Sequence, residues 1–320
     1  MSKTVGHTLI GIDVSKAELV VARSDTGSID TVNNTAPSIR RWLNSLPAGC
    51  LLALEATSTY HRAVAQLAFA QGHQVYLLDG FKLNRYRDSI GARAKTDASD
   101  ARLILRYLSH ECDSLRPWSP PPKAYYRIHA LLHRRATLVR TRVALSQSLR
   151  DVPELKPLGK RLSNRIKQLE ALITKRLETC CREVGWWEQV KRCKDIEGIG
   201  SLTAVALTTM FQRGQFTSSD AFVAFLGMDV RVRDSGTRSG ARKLTKKGDP
   251  ELRRLLYNAA MSARRSTRWA SVYQRYLDRG LKTTQAMIIL ARKLVRIAFA
   301  LLKNGSVYQP NLAENTCGRT

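Results

Sequence analysis

The first third of the chain is punctuated by short apolar runs. Leu9-Ile10-Gly11-Ile12-Asp13-Val14 and Leu19-Val20-Val21-Ala22 are separated by the polar pair Ser15 and Lys16. Runs this short predict strands joined by a turn. Leu51-Leu52-Ala53-Leu54-Glu55 is a third run, ending in an acid, and Gln74-Val75-Tyr76-Leu77-Leu78 a fourth. Between these two, Arg62 to Ala70 has a helical pattern, and another helical pattern runs from Asp97 to about Leu108. Strands alternating with helices predict an α/β sheet covered by helices.

Trp118-Ser119-Pro120-Pro121-Pro122 reads as a linker, because consecutive prolines do not continue a helix. Beyond it the pattern is helical. Leu131, Leu138 and Leu145 recur at seven-residue spacing, Pro153 and Pro157 interrupt, and Leu162, Ile166, Leu169, Ile173 and Leu177 follow. Two such seams predict an antiparallel hairpin, a coiled coil between subunits, or a plain bundle. Arg135 and Arg142 sit within the first seam. In the last third, helices are expected over Leu202 to Met210, Glu251 to Ala263 and Thr283 to Leu302, with Gly305 at a C-cap. A polar, Arg-rich segment fills Arg231 to Lys247. The expected organisation is an α/β domain over 1–118, a helical, coiled-coil-like connector over 119–188, a mainly helical domain over 189–310 and a loose tail over 311–320.

Charge changes the picture. The 320 residues hold 53 Lys plus Arg against 26 Asp plus Glu, a net charge of +27. Such a balance predicts a polyanionic partner, nucleic acid first, because neutralised phosphates release counterions. No apolar run reaches the roughly 20 residues of a membrane span, and no signal peptide is visible. The six cysteines form no C-x-x-C pair, so a cysteine-built zinc site is not expected and the thiols read as free. A cytoplasmic protein associated with the nucleoid, of prokaryotic type, is expected.

Against this background four acids stand out. Asp13 and Glu55 close predicted strands, where α/β proteins gather site residues. Asp97 and Asp100 stand three apart at the start of a predicted helix and share a face. Each alone also reads as a turn former or helix cap. Brought together they would suit Mg2+ or Mn2+, the hard cations used to cut phosphodiesters. The residues alone point to a metal-dependent nuclease or strand-transfer enzyme.

Gly11 to Lys16, Glu55 to Tyr60 and Lys95 to Ala101 together resemble the N-terminal motifs of the insertion-sequence-110 family of DEDD transposases, which includes pilin-gene invertases. Ile196 to Gly200, Phe222 to Gly227, Asp234-Ser235-Gly236 and Lys246-Lys247-Gly248 before Leu252-Arg253-Arg254 resemble its C-terminal motifs. The resemblance covers nearly the whole chain and is weakest in the helical middle. It implies a RuvC-like, RNase H-type domain with Asp13, Glu55, Asp97 and Asp100 as the metal-binding tetrad. It also implies Ser235 as the nucleophile, a structured non-coding RNA bridging target and donor DNA, and a tetramer, a dimer of dimers, with composite sites. Many relatives carry Ser where this chain has Thr245.

The chemistry around Ser235 is compatible with that role. Gly236 permits a tight turn, and Arg231, Arg233, Arg238 and Arg242 suit phosphate oxygens; a loop that only touches DNA backbone fits the same residues. Lys246 and Lys247 add charge. Gly198 and Gly200 before a helix resemble a helix-hairpin-helix turn whose N–H groups receive phosphate, or form an ordinary turn between helices. Tyr125, Tyr126, Arg127, His129, His133, Arg134 and Arg135 mix rings with cations, as base-stacking surfaces do and as plain surface helices also do. The expected function is an RNA-guided DNA recombinase. The alternatives are a nuclease or Holliday-junction resolvase using water, a site-specific invertase, and a non-catalytic nucleic-acid-binding protein.

Overall fold

A computed structural model describes residues 4, 6–56, 59–91, 96–231, 234–235, 238–240 and 242–310, with backbone alone at 234, 235, 238 and 239. The loose tail expected over 311–320 and Cys317 lie outside these residues. The chain divides into two compact units at Pro120/Pro121.

The first unit runs β1 (Leu9–Val14), β2 (Glu18–Arg23), β3 (Ile29–Asn33), α1 (Ala36–Leu43), β4 (Leu51–Glu55), α2 (His61–Ala70), β5 (Gln74–Leu78), α3 (Gly80–Ser89) and α4 (Asp97–Glu111). The strands form one sheet in the order β3-β2-β1-β4-β5. β1, β2 and β3 are antiparallel neighbours, while β4 lies parallel to both β1 and β5. Three meandering strands followed by two parallel ones make this the RuvC-like, RNase H-type arrangement. Alternation along β1 sends Ile10, Ile12 and Val14 to one face, where α1 and α2 cover them with Ile39, Leu43, Val64 and Ala68. Leu9 points to the other face, with Leu51 and Ala53 of β4, under Leu103, Ile104 and Leu108 of α4. Both faces of the central strands are therefore dry, which is why their sequences are almost wholly apolar. Trp118, placed by its sequence in a linker, instead extends the sheet edge: its N–H donates to the Val75 carbonyl at 2.7 Å.

The second unit is helical. It comprises α5 (Lys123–Ser148), α6 (Lys156–Glu183), α7 (Trp187–Lys194), α8 (Ser201–Phe211), α9 (Ser219–Phe225), four two-residue strands, and then α10 (Pro250–Ala263), α11 (Thr267–Asp278) and α12 (Thr283–Asn304). The strands are β6 (Val230–Arg231), β7 (Asp234–Ser235), β8 (Arg238–Ser239) and β9 (Lys243–Leu244). Ile128 and Leu132 of α5 and Leu177, Cys180 and Cys181 of α6 join one core with α8, α10 and α12. The helical connector thus shares its hydrophobic core with the C-terminal helices.

Two details of the helical seams differ from the sequence reading. Pro157 does not interrupt a helix; it occupies the first turn of α6, where its missing N–H costs nothing. On α5 the buried positions are Ile128, Leu132 and Ala136, not the seven-spaced leucines. The two arginines inside the seam find partners across the hairpin. Arg135 Nε donates to Thr174 Oγ1 at 2.9 Å, and Arg142 Nε to the buried Glu170 at 2.8 Å. Gly305 ends α12 with φ 67°, the left-handed C-cap its sequence predicts. Among the described residues no helix is long and apolar enough to cross a membrane, and the five cysteines among them are free and buried.

Candidate active site

The parallel register of β1 and β4 pairs Ile12 with Leu54, so Asp13 and Glu55 occupy the next step, at the carboxyl ends of adjacent strands. Both follow residues of the α4 face, Gly11 and Ala53, by two positions and therefore point the same way. Gly11 lets α4 come down on that face. A Cβ there would overlap the Ala101 carbonyl and the Leu105 backbone. The close crossing at Ala101 sets the first turn of α4, with Asp97 and Asp100, beside the strand ends.

Local structure fixes each acid. α4 starts where Thr96 and Ser99 form a reciprocal capping box, Thr96 accepting from the Ser99 N–H and Ser99 from the Thr96 N–H. Asn34 donates to the carbonyls of Ser15 at 2.8 Å and Tyr60 at 3.3 Å, pinning together the segments that follow β1 and β4. Glu55 lies against the first residue of α3; a Cβ on Gly80 would overlap its Oε1. Arg87 of α3 reaches across to Asp100 at 2.7 Å.

Burial, then the negative charges of Asp100 and Asp97 and, more weakly, of Glu55, push the Asp13 carboxyl up to about 6, against the opposing Val14 N–H. Burial is the largest cause of this shift, and the chain-distant acids add to it because they lie near Asp13. The cluster is open, since no three of the four bring an oxygen each within 4.8 Å of one another. Its donors are all hard carboxylate oxygens, and their mutual repulsion is what a divalent cation would relieve. The set fits Mg2+ or Mn2+. Thr57, Ser58 and Lys95 of the same motifs lie outside the described residues.

In the second unit the Arg-rich segment expected over Arg231 to Lys247 contains two short antiparallel ladders. β6 pairs with β9, and β7 with β8. Ser235 stands opposite Arg238 at the end of the inner pair. Arg233 and Gly236 lie outside the described residues. Arg231, Arg242 and Lys246 line one side of an open cavity of about 950 Å3, with Lys243 beside them and Arg292 of α12 opposite. Arg292 is half-buried, and its Nε has no hydrogen-bond partner. Burial and the neighbouring Arg296 work against its charge. The cations that line this cavity suit an anion. Arg292, Lys243 and Arg87 were not among the site residues expected from the sequence. Thr245 ties β9 to Asp229, its hydroxyl donating to the Asp229 carboxylate. Lys246 holds φ 56°, a left-handed backbone rare outside glycine, and Lys247 follows it.

Other sequence-based candidates lie around α5 and α8. Gly198, at φ 87°, is pressed against α10, where a Cβ would overlap the Ala259 carbonyl. Its neighbour Glu197 accepts from Tyr308 and from Trp269. Gly200 is the N-cap of α8, with open space around it. Of the ring-and-cation set on α5, Arg127 reaches Glu183, Arg135 pairs with Thr174, and His129 and His133 both turn onto Asp249. Those two histidines are therefore not presented as base-stacking platforms.

Comparisons with known proteins agree with this layout. The family model described as "Transposase", for DEDD transposases of the IS110 type, matches residues 10–155, and the model described as "Transposase IS116/IS110/IS902 family" matches residues 190–275. The pilin gene-inverting protein of Moraxella bovis is 27% identical over 97% of this chain and 100% of its own. The transposase for insertion sequence element IS1328 of Yersinia enterocolitica is 28% identical over 94% of this chain and 98% of its own. The structure of T. thermophilus RuvC in complex with a Holliday junction substrate aligns with 35% of this chain and 99% of that chain at 14% identity and a TM-score of 0.27; so slight a likeness decides nothing, and the fold rests on strand order. With both family models in chain order and full-length relatives on either side of the inversion–transposition divide, the chain belongs to the IS110 family of DNA transposases and recombinases.

Proposed function

We propose that this recombinase cuts and rejoins DNA with Asp13, Glu55, Asp97 and Asp100 as its metal-holding tetrad and Ser235 as its nucleophile, guided by a structured non-coding RNA. The observation that carries the reading is the placement of Asp13 and Glu55 at the ends of adjacent parallel strands, beside the first turn of α4 with Asp97 and Asp100. The four carboxylates would hold Mg2+ or Mn2+, which when bound supplies Lewis acidity at phosphate oxygens and favours ionisation of a coordinated hydroxyl.

The chain's own residues supply the rest. The Ser235 Oγ attacks a DNA phosphorus, forming a serine–phosphate ester as the bond to the leaving deoxyribose oxygen breaks. The serine proton passes to solvent or a nearby base, and the leaving oxygen takes one up. Attack by the hydroxyl of another strand end reverses these bonds and frees the serine, so strands are exchanged without loss of phosphodiester energy. Arg231, Arg242, Lys243, Lys246 and Arg292 bind backbone phosphate by charge, together with Arg233, Arg238 and Lys247. At the turn before α8, phosphate would meet Gly200 and the N–H groups after it, because Gly198 faces α10. This chemistry is common to inversion and transposition. The protein acts as a homotetramer, a dimer of dimers, with sites shared between protomers.

A denaturing gel with labelled DNA tests the reading. The native chain yields a covalent protein–DNA adduct in Mg2+, and Ser235→Ala abolishes it. An undiminished adduct in that variant would refute the serine assignment; cleavage without any adduct would give the chemistry to water. Sequencing the nucleic acid that co-purifies tests the guide: a discrete transcript is expected, and its absence points to a protein-only mechanism.

A further inference from the structure

The acidic cluster is not the only place where chain-distant ligand groups converge. On α5, His129 and His133 stand four residues apart on one helical face. Asp249, more than a hundred residues later, sits at the N-cap of α10. The His129 and His133 Nε2 atoms lie 3.1 Å and 2.7 Å from the Asp249 Oδ2, and 3.2 Å from each other. Among the described residues this is the one trio of imidazole, thiolate or carboxylate groups whose ligand atoms all fall within 4.8 Å.

Hydrogen bonding alone does not satisfy this triangle. Each Nε2 carries either one proton or one lone pair, and the ionised carboxylate only accepts. If both imidazoles donate to Oδ2, two N–H groups confront each other at 3.2 Å. If one donates, the lone pair of the other faces the carboxylate. No combination of tautomers makes all three edges favourable, whereas a cation at the centre makes every lone pair a ligand.

The dimensions fit. Bonds of about 2.0–2.2 Å from a tetrahedral Zn2+ to imidazole nitrogen and carboxylate oxygen put ligand atoms roughly 3.3 Å apart, close to the 3.1 and 3.2 Å edges and somewhat longer than the 2.7 Å edge from His133 to Asp249. The second oxygen of Asp249 is already engaged, since Oδ1 accepts from the Glu251 N–H at 2.8 Å and fixes the carboxylate plane. Tyr125 stacks on the His129 ring at 5.4 Å and 17°. The site opens to solvent on the side of His133, whose side chain is 42% exposed against 14% for Asp249.

We propose that His129, His133 and Asp249 bind a Zn2+-class transition ion, separate from the acidic tetrad. Two imidazoles and one carboxylate suit a borderline ion better than Mg2+. Three protein ligands leave one position for water or a phosphate oxygen. The ion clips α5 to the start of α10, directly after the Lys246-Lys247-Gly248 turn, and so braces the base of the segment that carries Ser235.

Co2+ is the probe. Added to the full chain after chelator treatment, it gives intense visible absorption of the low-coordinate, imidazole-ligated type at about one equivalent, which carboxylates alone do not produce. Zn2+ displaces that signal and raises the melting temperature by several degrees. Both effects vanish in the His129→Gln/His133→Gln double variant, with helix content checked by circular dichroism. A test without variants runs alongside: Zn2+ shields both histidines of the native chain from diethyl pyrocarbonate, read by peptide mass. No Co2+ band at several equivalents, a band unchanged in the folded double variant, or histidines equally modified with and without Zn2+ overturns the proposal.

Discussion

Two clusters of ionisable groups, one in each unit, solve opposite problems. In the first, four carboxylates gather in a protein of net charge +27, and Arg87 pairs with one of them, Asp100. In the second, one carboxylate faces two imidazoles. Burial alone would raise the Asp249 carboxyl, but the neighbouring His129 and His133 and the Glu251 N–H outweigh it and hold it well below the usual carboxylate range. The Asp13 carboxyl moves the other way, up to about 6. The difference teaches that net charge does not decide local electrostatics. Oxygen surplus marks the first cluster for hard divalent ions, and nitrogen donors mark the second for a softer one.

The comparison breaks most visibly at Asp13. Asp13→Asn removes a carboxylate from the centre of the acid cluster and should lower DNA cleavage by at least ~100-fold, the scale of losing one group that meets transition-state charge. A filter-binding assay should find DNA affinity nearly unchanged, and retained cleavage would remove Asp13 from the chemistry.

Gly11→Ala tests the packing that assembles the cluster. The new methyl would collide with backbone of α4, and the expected destabilisation is about 2–3 kcal/mol by urea melts. Wild-type stability would mean that α4 does not rest on β1 as described.

Titration sharpens the contrast between the clusters. Because the Asp13 pKa is raised on folding, its contribution favours the native state below pH ~4 and is lost as pH rises to about 6. In chelator, stability should fall across that window by on the order of 2 kcal/mol, and Asp13→Asn should flatten the fall. A native chain whose stability is level over this range would contradict the convergence of the acids.

The smallest effect belongs to the basic cavity. Arg242→Ala should weaken DNA binding uniformly across sequences and reduce the slope of log affinity against log salt by about 1. An unchanged slope would place Arg242 off the phosphate path.

How much of this was legible depended on where each residue buries its surface. β1, β4 and β5 announce themselves because the sheet is covered on both faces, leaving apolar runs with sharp ends. β3 was missed: Ile-Asp-Thr-Val-Asn is an edge strand whose Ile29 and Val32 are only partly buried, on opposite faces. α3 buries Leu83 alone, and α11 Trp269 alone, too little for a periodic signal. The two-residue strands around Ser235 pair through backbone, which carries no side-chain pattern.

From the sequence alone came the alternation of strands and helices, the basic character, the four acids and the family motifs. Each of these rests on local periodicity, on composition or on residue identity, which need no neighbour distant in the chain. Only the tertiary structure decided that α4 descends on Gly11 beside the strand ends, that Arg292 faces a cavity, and that His129 and His133 meet Asp249. Contacts of that kind depend on which helix faces lie against each other, a choice made by core packing across the whole unit and written in no single segment.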